Sequence, residues 1–562
     1  MKNVRVLDCT LRDGGRIIDC AFPDNEIKDI SSRLSKAKID IIEVGFIRDW
    51  RKVHWGGNST FFTDVDQIAP YLDKSRDTMY VAFIDYGLCD IDTLKPCDGK
   101  SIDGIRYGFT KKNFLENRED VIRWAKIIKE RGYKLFIQGV NSLNYNDKEL
   151  LGLIDLINEI HPYGFGIVDT YGAMYEEDVD RIYGLVDHNL AEDIAVDFHS
   201  HNNYQLSFSF ACEVIKQSRG ARQIIIDSTL NGMGKVAGNL NTELIVNYLT
   251  RKLHYDYELD NILDLIDDYI VKYAMEHKWG YSIPAMMAGI YKSHPNNILY
   301  LTSKFRLQSK DIGNLLSMID PQKRQRYDYD NIERLYIEYA GEKVDDYSSI
   351  ELLKNQIQNR EVLVLVPGNS LNTYKSFLDS YIKEKKPVVI SVNFSSGYPE
   401  SYMFYGNEKR YDLNSAKNKD KNRKVIITSN IHTEDKGNIV VNYDSLINRG
   451  YQYFENSTIM LLNLLKKIEV KQISIAGFDG FDRSLKSNYA DESFQNVRHL
   501  DEFDILNKEI SEMLEEYYKT MKEKCEITFI TPSRFSVFVQ DVSERDSDKK
   551  SLAEEWKEAH KE

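Results

Sequence analysis

The chain has 562 residues, a formal net charge of −14 and 42% apolar residues. This length exceeds what one hydrophobic core supports and predicts two or three domains. The negative charge argues against nucleic acid or an anionic membrane as the main partner. The six cysteines show no CxxC spacing, and no apolar run reaches the ~18 residues of a membrane span. We therefore expect a soluble cytoplasmic protein without disulfides.

Eight short β-rich runs are predicted in the first half of the chain. They cover residues 4–10, 39–46, 78–85, 104–110, 134–140, 164–170, 194–201 and 223–230. Amphipathic stretches with helical spacing lie between most of them. Apolar strands that alternate with helices indicate a parallel sheet covered on both faces. Eight such units predict a (β/α)8 TIM barrel over residues 1–255. An open doubly wound sheet is the alternative, but no G-x-G-x-x-G follows the first strand.

The remaining chain is predicted to form three further segments. Helical patterns dominate residues 256–350, which we expect to be an extension that completes the active site. A strand, glycine turn, helix and strand then begin a Rossmann-like α/β domain over residues 360–545. Its later predicted strands are "RKVIITS" (423–429), "GNIVVNY" (437–443) and "KQISIAGFDGF" (471–481). Residues 546–562 form a charged tail.

Polar side chains collect where the predicted barrel strands end, which is where TIM barrels place their active sites. Arg12 and Asp13 follow the first strand, and His199 and His201 end the seventh. The glycine loop "NGMGKVAGN" after the eighth strand is expected to bring Asn239 inward. One carboxylate, two imidazoles and an amide oxygen predict a divalent metal site, with Mn²⁺ or Mg²⁺ preferred and Zn²⁺ also suitable. Non-haem iron oxygenases use similar ligands, but the alternation of strands and helices disfavours them.

Four motifs, "TLRDG", "EVGF", "HSHNN" and "GMGKVAGN", occur in this order over about residues 3–300. Together they resemble the DRE-TIM metallolyases, which include HMG-CoA lyase, the isopropylmalate and homocitrate synthases and 4-hydroxy-2-oxovalerate aldolase. The aldolase branch is the most similar. The resemblance implies that Asp13, His199 and His201 are metal ligands and that Asn239 is an added ligand. It also implies that Arg12 steadies an enolate oxygen.

The resemblance also raises the question of the catalytic base. The aldolase branch reads RDGMH with a histidine base, whereas this chain reads "RDGGR", so Arg16 stands in its place. An arginine is no ordinary base, and His54, Tyr107 and Tyr291 are the candidate substitutes. We expect Arg16 either to bind an anionic group of the substrate or to be structural. Glu43, in "EVGF", matches a carboxylate near the metal or is a buried anchor. Tyr291 matches a tyrosine over the substrate or is a packing residue.

The implied function is that of a metal-dependent aldolase or lyase. Its substrates would be a 2-oxo acid such as pyruvate, which forms the enolate, and an aldehyde or sugar. One alternative is a Claisen-type synthase that uses an acyl-CoA, although the glycine loop lacks the cysteine of HMG-CoA lyases. Another alternative is a non-catalytic barrel that serves a C-terminal nucleotide-sugar transferase. A homo-oligomer is compatible with each alternative.

The second domain contains a candidate phosphate site. In "LVLVPGNSLNTY" a glycine turn joins a strand to a helix. The backbone N–H groups of Gly368, Asn369, Ser370 and Leu371 could therefore face a phosphate at the helix N-terminus. Asn393 and Asp479 follow other strands on the same carboxyl edge, where open α/β sheets bind ligands. An ordinary strand–helix turn is the alternative. A distant similarity to nucleotide-handling domains suggests a nucleotide-linked or phosphosugar ligand, and a role in making a sugar acid for a surface polysaccharide.

Overall fold

The structure is a computed structural model that describes residues 3–49, 51, 60–304, 309–341, 344–415, 424–485, 487–491 and 502–536. Contacts within the chain define two compact units, Met1–Tyr329 and Asp330–Glu562. We call them the N-terminal unit and the C-terminal unit. The predicted tail, 546–562, lies outside the described residues. The predicted bounds of the helical extension and of the second domain stay predictions.

Eight parallel strands close into a barrel in the N-terminal unit, which confirms the predicted fold. The strands of this unit are β1 (Val4–Asp8), β2 (Ile41–Ile47), β3 (Phe61–Phe62), β4 (Met79–Asp85), β5 (Gly104–Phe109), β6 (Lys134–Gly139), β7 (Gly164–Asp169), β8 (Ala195–Ser200) and β9 (Ile224–Ser228). Their order is β1-β9-β8-β7-β6-β5-β4-β2-β3, and β1 also pairs with β2 to close the ring. The short β3 extends β2 and is not one of the eight predicted strands.

Helices cover the barrel and continue beyond its last strand. They are α1 (Asp24–Lys36), α2 (Lys111–Glu116), α3 (Arg118–Glu130), α4 (Asp147–Ile160), α5 (Glu176–Asn189), α6 (Ser207–Gln217), α7 (Thr242–Leu253), α8 (Leu259–Leu265), α9 (Val271–Glu276), α10 (Ile283–Ile290), α11 (Pro295–Lys304) and α12 (Ser309–Met318). In α3 the buried residues Val121, Trp124, Ala125 and Ile128 follow the spacing of one helix face. This apolar face explains why the segment lies against the sheet.

The barrel interior is built in layers, because every second residue of a strand points inward. In β8, Ala195 belongs to a buried apolar cluster, Asp197 lies two residues further on, and His199 lies two beyond that. Ile225 and Asp227 repeat the first two layers in β9. An apolar floor therefore supports a layer of charged side chains, and the imidazoles lie above it.

The C-terminal unit contains a seven-stranded parallel sheet, as predicted for a Rossmann-like domain. Its strands are β10 (Glu361–Leu365), β11 (Val388–Val392), β12 (Tyr402–Tyr405), β13 (Lys424–Thr428), β14 (Ile439–Val441), β15 (Gln472–Ala476) and β16 (Glu526–Phe529). The order is β14-β13-β12-β11-β10-β15-β16, so the winding reverses between β10 and β15. Its helices are α13 (Tyr329–Ala340), which begins at the unit boundary, α14 (Tyr347–Ile357), α15 (Ser370–Thr373), α16 (Lys375–Lys385), α17 (Glu408–Ser415), α18 (Ser457–Lys467) and α19 (Glu502–Met521).

Two strands of this sheet are absent from the sequence prediction. They are β12 and β16, each four residues long. Runs this short carry little periodicity, and their burial is decided by the neighbouring strands. Among the described helices, none combines the length and the apolar character that crossing a membrane requires.

Candidate functional site

Three predicted metal ligands meet at the carboxyl end of the barrel. Asp13 Oδ2 lies 4.0 Å from His199 Nε2 and 3.9 Å from His201 Nε2. The ligand atoms of the three side chains all lie within 4.8 Å of one another. Asp13 Oδ1 faces the other way and accepts a hydrogen bond from Arg12 Nη1 at 2.6 Å. One carboxylate oxygen is therefore left for the histidines.

The hydrogen bonds of the two imidazoles fix which nitrogen is free. His199 Nδ1 lies 2.8 Å from Asp227 Oδ2, and His201 Nδ1 lies 3.2 Å from the Gly238 carbonyl oxygen. Because both partners are acceptors, each Nδ1 carries the proton and each Nε2 presents a lone pair. Burial lowers the pKa of both histidines to about 4, so both are neutral at pH 7. Two neutral imidazoles and a carboxylate fit a divalent metal ion.

The glycine loop brings Asn239 beside Asp13. Its Nδ2 donates to Asp13 Oδ2 at 3.1 Å and to the Met233 carbonyl oxygen at 3.0 Å. These two acceptors turn the amide nitrogen, not the oxygen, toward Asp13. In this orientation Asn239 holds Asp13 in place, and its buried Oδ1 has no hydrogen-bond partner within the described part of the chain, so its role as an added ligand stays a prediction.

Arg12 is fixed by carboxylates on two sides. Its Nε donates to Glu43 Oε2 at 2.6 Å, its Nη1 bonds to Asp13, and its guanidinium lies 4.8 Å from the centre of the Phe83 ring. Glu43 is fully buried and is absent from the cavity lining. This geometry matches the buried-anchor alternative for Glu43, whose part is to orient Arg12.

A buried arginine that the sequence analysis did not single out connects these groups. Arg106 Nη1 donates to Glu43 Oε2 at 3.0 Å, and Arg106 Nη2 donates to Asp197 Oδ2 at 2.7 Å and to Asp227 Oδ2 at 2.6 Å. Arg106 thus joins the carboxylate that holds Arg12 to the carboxylate that holds His199. The sequence did contain a signal for this network, because charged residues stand at inward-facing positions of otherwise apolar strands. We call Arg106, Glu43, Asp197 and Asp227 the barrel network.

Asp197 is predicted to carry a proton in the folded protein. Burial raises the pKa of Asp197 to about 7, a value that includes a lowering by Arg106 and a further rise from Asp227. An unfolded aspartate ionises near pH 4. The folded state therefore binds the extra proton between these pH values, and the free energy of unfolding falls as pH rises from about 4 to about 7.

Asparagine can mimic the protonated Asp197 in this position. We expect Asp197→Asn to remove its share of that pH dependence, so that the variant gains stability relative to the natural protein between pH 5 and pH 8. Urea unfolding of both proteins at pH 5 and at pH 8 measures the difference in the free energy of unfolding. Parallel stability–pH curves for the two proteins would show that Asp197 is ionised throughout.

A second group of potential ligands, Cys9, His199 and Asp227, lies below the first. Its contacts are those of a packed interior. The thiol of Cys9 donates to the Ser228 carbonyl oxygen at 3.4 Å, and burial raises the pKa of this thiol. Asp227 already accepts from His199 Nδ1 and Arg106. These contacts favour a structural role for the second group.

A cavity of about 380 Å³ opens above the metal-ligand group, within the size range of small-molecule sites. It brings together Arg12, Asp13, Arg16, His199 and His201. The Arg16 side chain is half exposed, and its Nη1 lies 3.5 Å from Asp13 Oδ1. The predicted association of Arg16 with this site is therefore visible in the geometry, whereas its ligand stays a prediction.

Two of the three candidate bases lie away from this cavity. Tyr107 faces outward, where its ring stacks on Trp124 and its hydroxyl donates to the Val121 carbonyl oxygen. Tyr291 packs beside Gly313 and Arg324 and is absent from the cavity lining. The structure places Tyr291 as a packing residue. His54 lies outside the described residues.

Two basic side chains are among the cavity residues that the sequence analysis did not single out. Lys235 lies in the glycine loop after β9, and His294 precedes α11. Both belong to segments that the motifs had already marked, "GMGKVAGN" and "AGIYKSHP". The second segment drew attention to Tyr291, yet the side chain that lines the cavity is the histidine three residues later.

The predicted phosphate site of the C-terminal unit is closed by internal bonds. Ser370 N–H and Oγ both donate to the Asp479 carboxylate, Gly368 N–H donates to the Gly477 carbonyl oxygen at 2.9 Å, and Leu371 N–H donates to Gly368. These donors are used, and a carboxylate occupies the place where a phosphate would lie. Burial raises the pKa of Asp479.

The other two residues of that predicted site are bound locally as well. Asn369 precedes α15, which is four residues long, and makes no side-chain cap bond there. Asn393 Oδ1 accepts from Gly406 N–H at 3.2 Å. This part of the chain has the geometry of an ordinary strand–helix turn, and a nucleotide-linked ligand is not supported.

Comparison with known proteins agrees with the barrel and with the family resemblance of its motifs. The family model described as HMGL-like matches residues 3–268. An oxaloacetate decarboxylase of Mycobacterium tuberculosis is 27% identical over 260 residues, which are 46% of this chain and 74% of the relative. A probable 2-isopropylmalate synthase of Methanosarcina mazei is 29% identical over 44% of this chain and 46% of its own length.

A 4-hydroxy-2-oxovalerate aldolase of Carboxydothermus hydrogenoformans is 25% identical over 55% of this chain and 90% of its own length. The matched family region begins before β1 and ends within α8–α9, so it contains every barrel strand and all three metal-ligand side chains. The resemblance in the sequence motifs is thereby confirmed. Residues 3–268 are an HMGL-like domain of the DRE-TIM type.

Proposed function

We propose that the N-terminal unit is a divalent-metal-dependent aldolase or lyase that acts through the enolate of a 2-oxo acid. The observation that carries this proposal is the convergence of Asp13, His199 and His201 beside a fixed Arg12. A divalent ion held by the three ligands, Mn²⁺ or Mg²⁺ by preference, would act as a Lewis acid on negative charge at the keto oxygen.

Arg12 supplies the second positive group. Because Glu43 and Asp13 hold its guanidinium in place, no reorganisation is needed when charge develops on the enolate oxygen. In the cleavage direction, the C3–C4 bond of a 4-hydroxy-2-oxo acid breaks and its electron pair passes to the enolate. The 4-hydroxyl gives up its proton as the aldehyde leaves, and C3 of the enolate then takes up a proton.

The relatives support an enolate as the common species. Decarboxylation of oxaloacetate and cleavage of 4-hydroxy-2-oxovalerate both leave the enolate of pyruvate, and proteins with these names match this chain. We therefore infer pyruvate or a close analogue as the 2-oxo acid and an aldehyde or sugar as its partner. Use of this chemistry in making a sugar acid stays a prediction from the sequence.

Exchange of the pyruvate methyl protons with deuterium tests the proposal, because enolisation requires no knowledge of the aldehyde. We expect exchange by the metal-loaded protein, its loss with EDTA and its return with Mn²⁺, followed by mass spectrometry of pyruvate. Arg12→Gln should slow exchange about 100-fold. Arg33→Gln is the control, since Arg33 forms surface ion pairs from α1. Absence of exchange with pyruvate, 2-oxobutyrate and oxaloacetate would overturn the proposal.

A Claisen-type synthase is the second candidate, supported by the similarity to a protein named 2-isopropylmalate synthase. Such an enzyme uses the 2-oxo acid as the acceptor and releases free coenzyme A thiol. Thiol release from acetyl-CoA that depends on a 2-oxo acid and on Asp13 would favour it. Exchange of pyruvate protons without thiol release would favour the aldolase.

A further inference from the structure

Three nitrogen-bearing side chains line the cavity beside the metal-ligand group. Arg16 comes from the turn after β1, Lys235 from the glycine loop after β9, and His294 from the residue before α11. The three are close enough to influence each other. Burial, Arg16 and Lys235 lower the pKa of His294, and burial and Arg16 lower the pKa of Lys235. We call Arg16, Lys235 and His294 the cationic wall.

The charges of this wall are poorly compensated. Asp13 Oδ1 is 3.5 Å from Arg16 but already accepts a 2.6 Å bond from Arg12. Asp85, the other carboxylate of the cavity lining, pairs with Arg48 at 2.6 Å. Within the described ranges no carboxylate lies within ion-pair distance of Lys235. A cavity with excess positive charge, in a chain of net charge −14, indicates a local need to hold an anion.

His294 can donate a hydrogen bond to such an anion while it stays neutral. Its Nδ1 accepts from Asn296 N–H at 3.1 Å, so the proton of the neutral imidazole is on Nε2. Burial and the two neighbouring cations lower the pKa of His294 to about 4, which keeps the ring uncharged at pH 7. The N-terminus of the ten-residue α11 lies in the same wall and adds the positive end of its dipole.

We propose that the cationic wall binds a second anionic group of the substrate, a carboxylate or a phosphate. This inference rests on the proposed function, because the first carboxylate is that of the 2-oxo acid. It makes the substrate at least a dianion: the carbon–carbon bond would join the 2-oxo acid portion to an aldehyde portion that carries its own acidic group. Arg16, which stands at the position of the family's histidine base, would then bind substrate.

Affinity for paired ligands tests the proposal. 2-Oxobutyrate and 2-oxoglutarate share the 2-oxo acid end and differ in the distal carboxylate; 2-oxo-4-phosphonobutyrate carries a phosphonate there. Calorimetry on the Mn²⁺-loaded protein should show about tenfold or greater preference for the better dianion over 2-oxobutyrate. The better of the two dianions identifies carboxylate or phosphate as the group. Inorganic phosphate should also bind to the metal-free protein.

Variants of the wall complete the test. The double variant Arg16→Gln/Lys235→Gln should bind both dianions and 2-oxobutyrate within about twofold of each other and lose the binding of inorganic phosphate. Affinity for 2-oxobutyrate and Mn²⁺ should change less than about threefold, which shows that the fold is intact. Lys292→Gln is the matched control, because Lys292 is exposed two residues before His294 and is absent from the cavity lining.

The outcomes separate this inference from the proposed function. If 2-oxobutyrate binds and exchanges its protons but no dianion is preferred, the wall has no such role and the enolate chemistry stands. A preference that survives in the double variant would equally overturn the inference. If no 2-oxo acid binds, the proposed function fails, and phosphate binding that depends on Arg16 and Lys235 would still support the anion site. If the protein binds neither a 2-oxo acid nor phosphate, the proposed anion site is overturned as well.

Discussion

Replacing Asp13 with asparagine should weaken Mn²⁺ binding by more than about 100-fold and abolish metal-dependent proton exchange of pyruvate. Loss of a group that merely orients a ligand typically costs 10–100-fold in affinity, and loss of the only anionic ligand should cost more. Asp13 also bonds to Arg12 and lies 3.5 Å from Arg16. Without its charge, both guanidinium groups would lose a carboxylate that they share, and Arg12 would keep only its pair with Glu43. Competitive titration with a fluorescent chelator measures the affinity.

Two other aspartates make this experiment quantitative. Asp227→Asn changes the group that holds His199 Nδ1 and also accepts from Arg106, and we expect an affinity loss of about 10–100-fold. Asp85→Asn changes a carboxylate of the same cavity that pairs with Arg48, and we expect Mn²⁺ affinity within about threefold of the natural protein. Retention of tight binding by Asp13→Asn would place the metal elsewhere.

The barrel and the convergence of its polar side chains were predictable because one geometric rule places the ends of the strands. Parallel strands of a barrel direct their carboxyl ends to the same rim, so Asp13 after β1 and the histidines of β8 had to approach each other. Every predicted strand of the first half is present within two residues of its predicted ends. Alternation along a strand likewise sets His199 and His201 on one side.

Residues from loops escaped this rule. α10 ends at Ile290, and the direction of each following side chain depends on turns that periodicity does not describe. For this reason Tyr291 was selected although His294 lines the cavity. In the C-terminal unit, the donors of the Gly368 turn are closed partly by Asp479, more than a hundred residues later in the chain. A sequence motif predicts the hydrogen-bond donors of a turn. Which acceptors bind those donors depends on the fold.

The barrel network links stability to the site, because its charges cannot be separated without cost. Glu43, Asp197 and Asp227 are buried acidic side chains, burial raises the pKa of Asp197 to about 7, and Arg106 donates to all three. A buried ion pair adds little stability over an apolar pair, but removal of one partner leaves an uncompensated charge in the interior. The network is therefore expected to be intolerant of changes to its only shared donor.

Replacing Arg106 with methionine should lower the free energy of unfolding by about 3–5 kcal/mol, since three carboxyl groups lose their common donor. It should also weaken Mn²⁺ binding at least tenfold, because both Asp227, which orients His199, and Glu43, which orients Arg12, become free to move. Urea unfolding and Mn²⁺ titration at a temperature where the variant is folded measure the two effects.

Arg222→Met separates a general loss of stability from a loss of positioning. Arg222 is also buried, but it donates to backbone carbonyl oxygens after α5 and to Asp187, away from the cavity lining. We expect this variant to lose stability and keep its Mn²⁺ affinity. The double variant Arg106→Met/Glu43→Gln should recover part of the stability, since one buried charge is gone, without recovering the rate of proton exchange. If Arg106→Met retained natural Mn²⁺ affinity and exchange rate, the network would be a packing device alone, and the orientation of Arg12 and His199 would have to come from the strands that carry them.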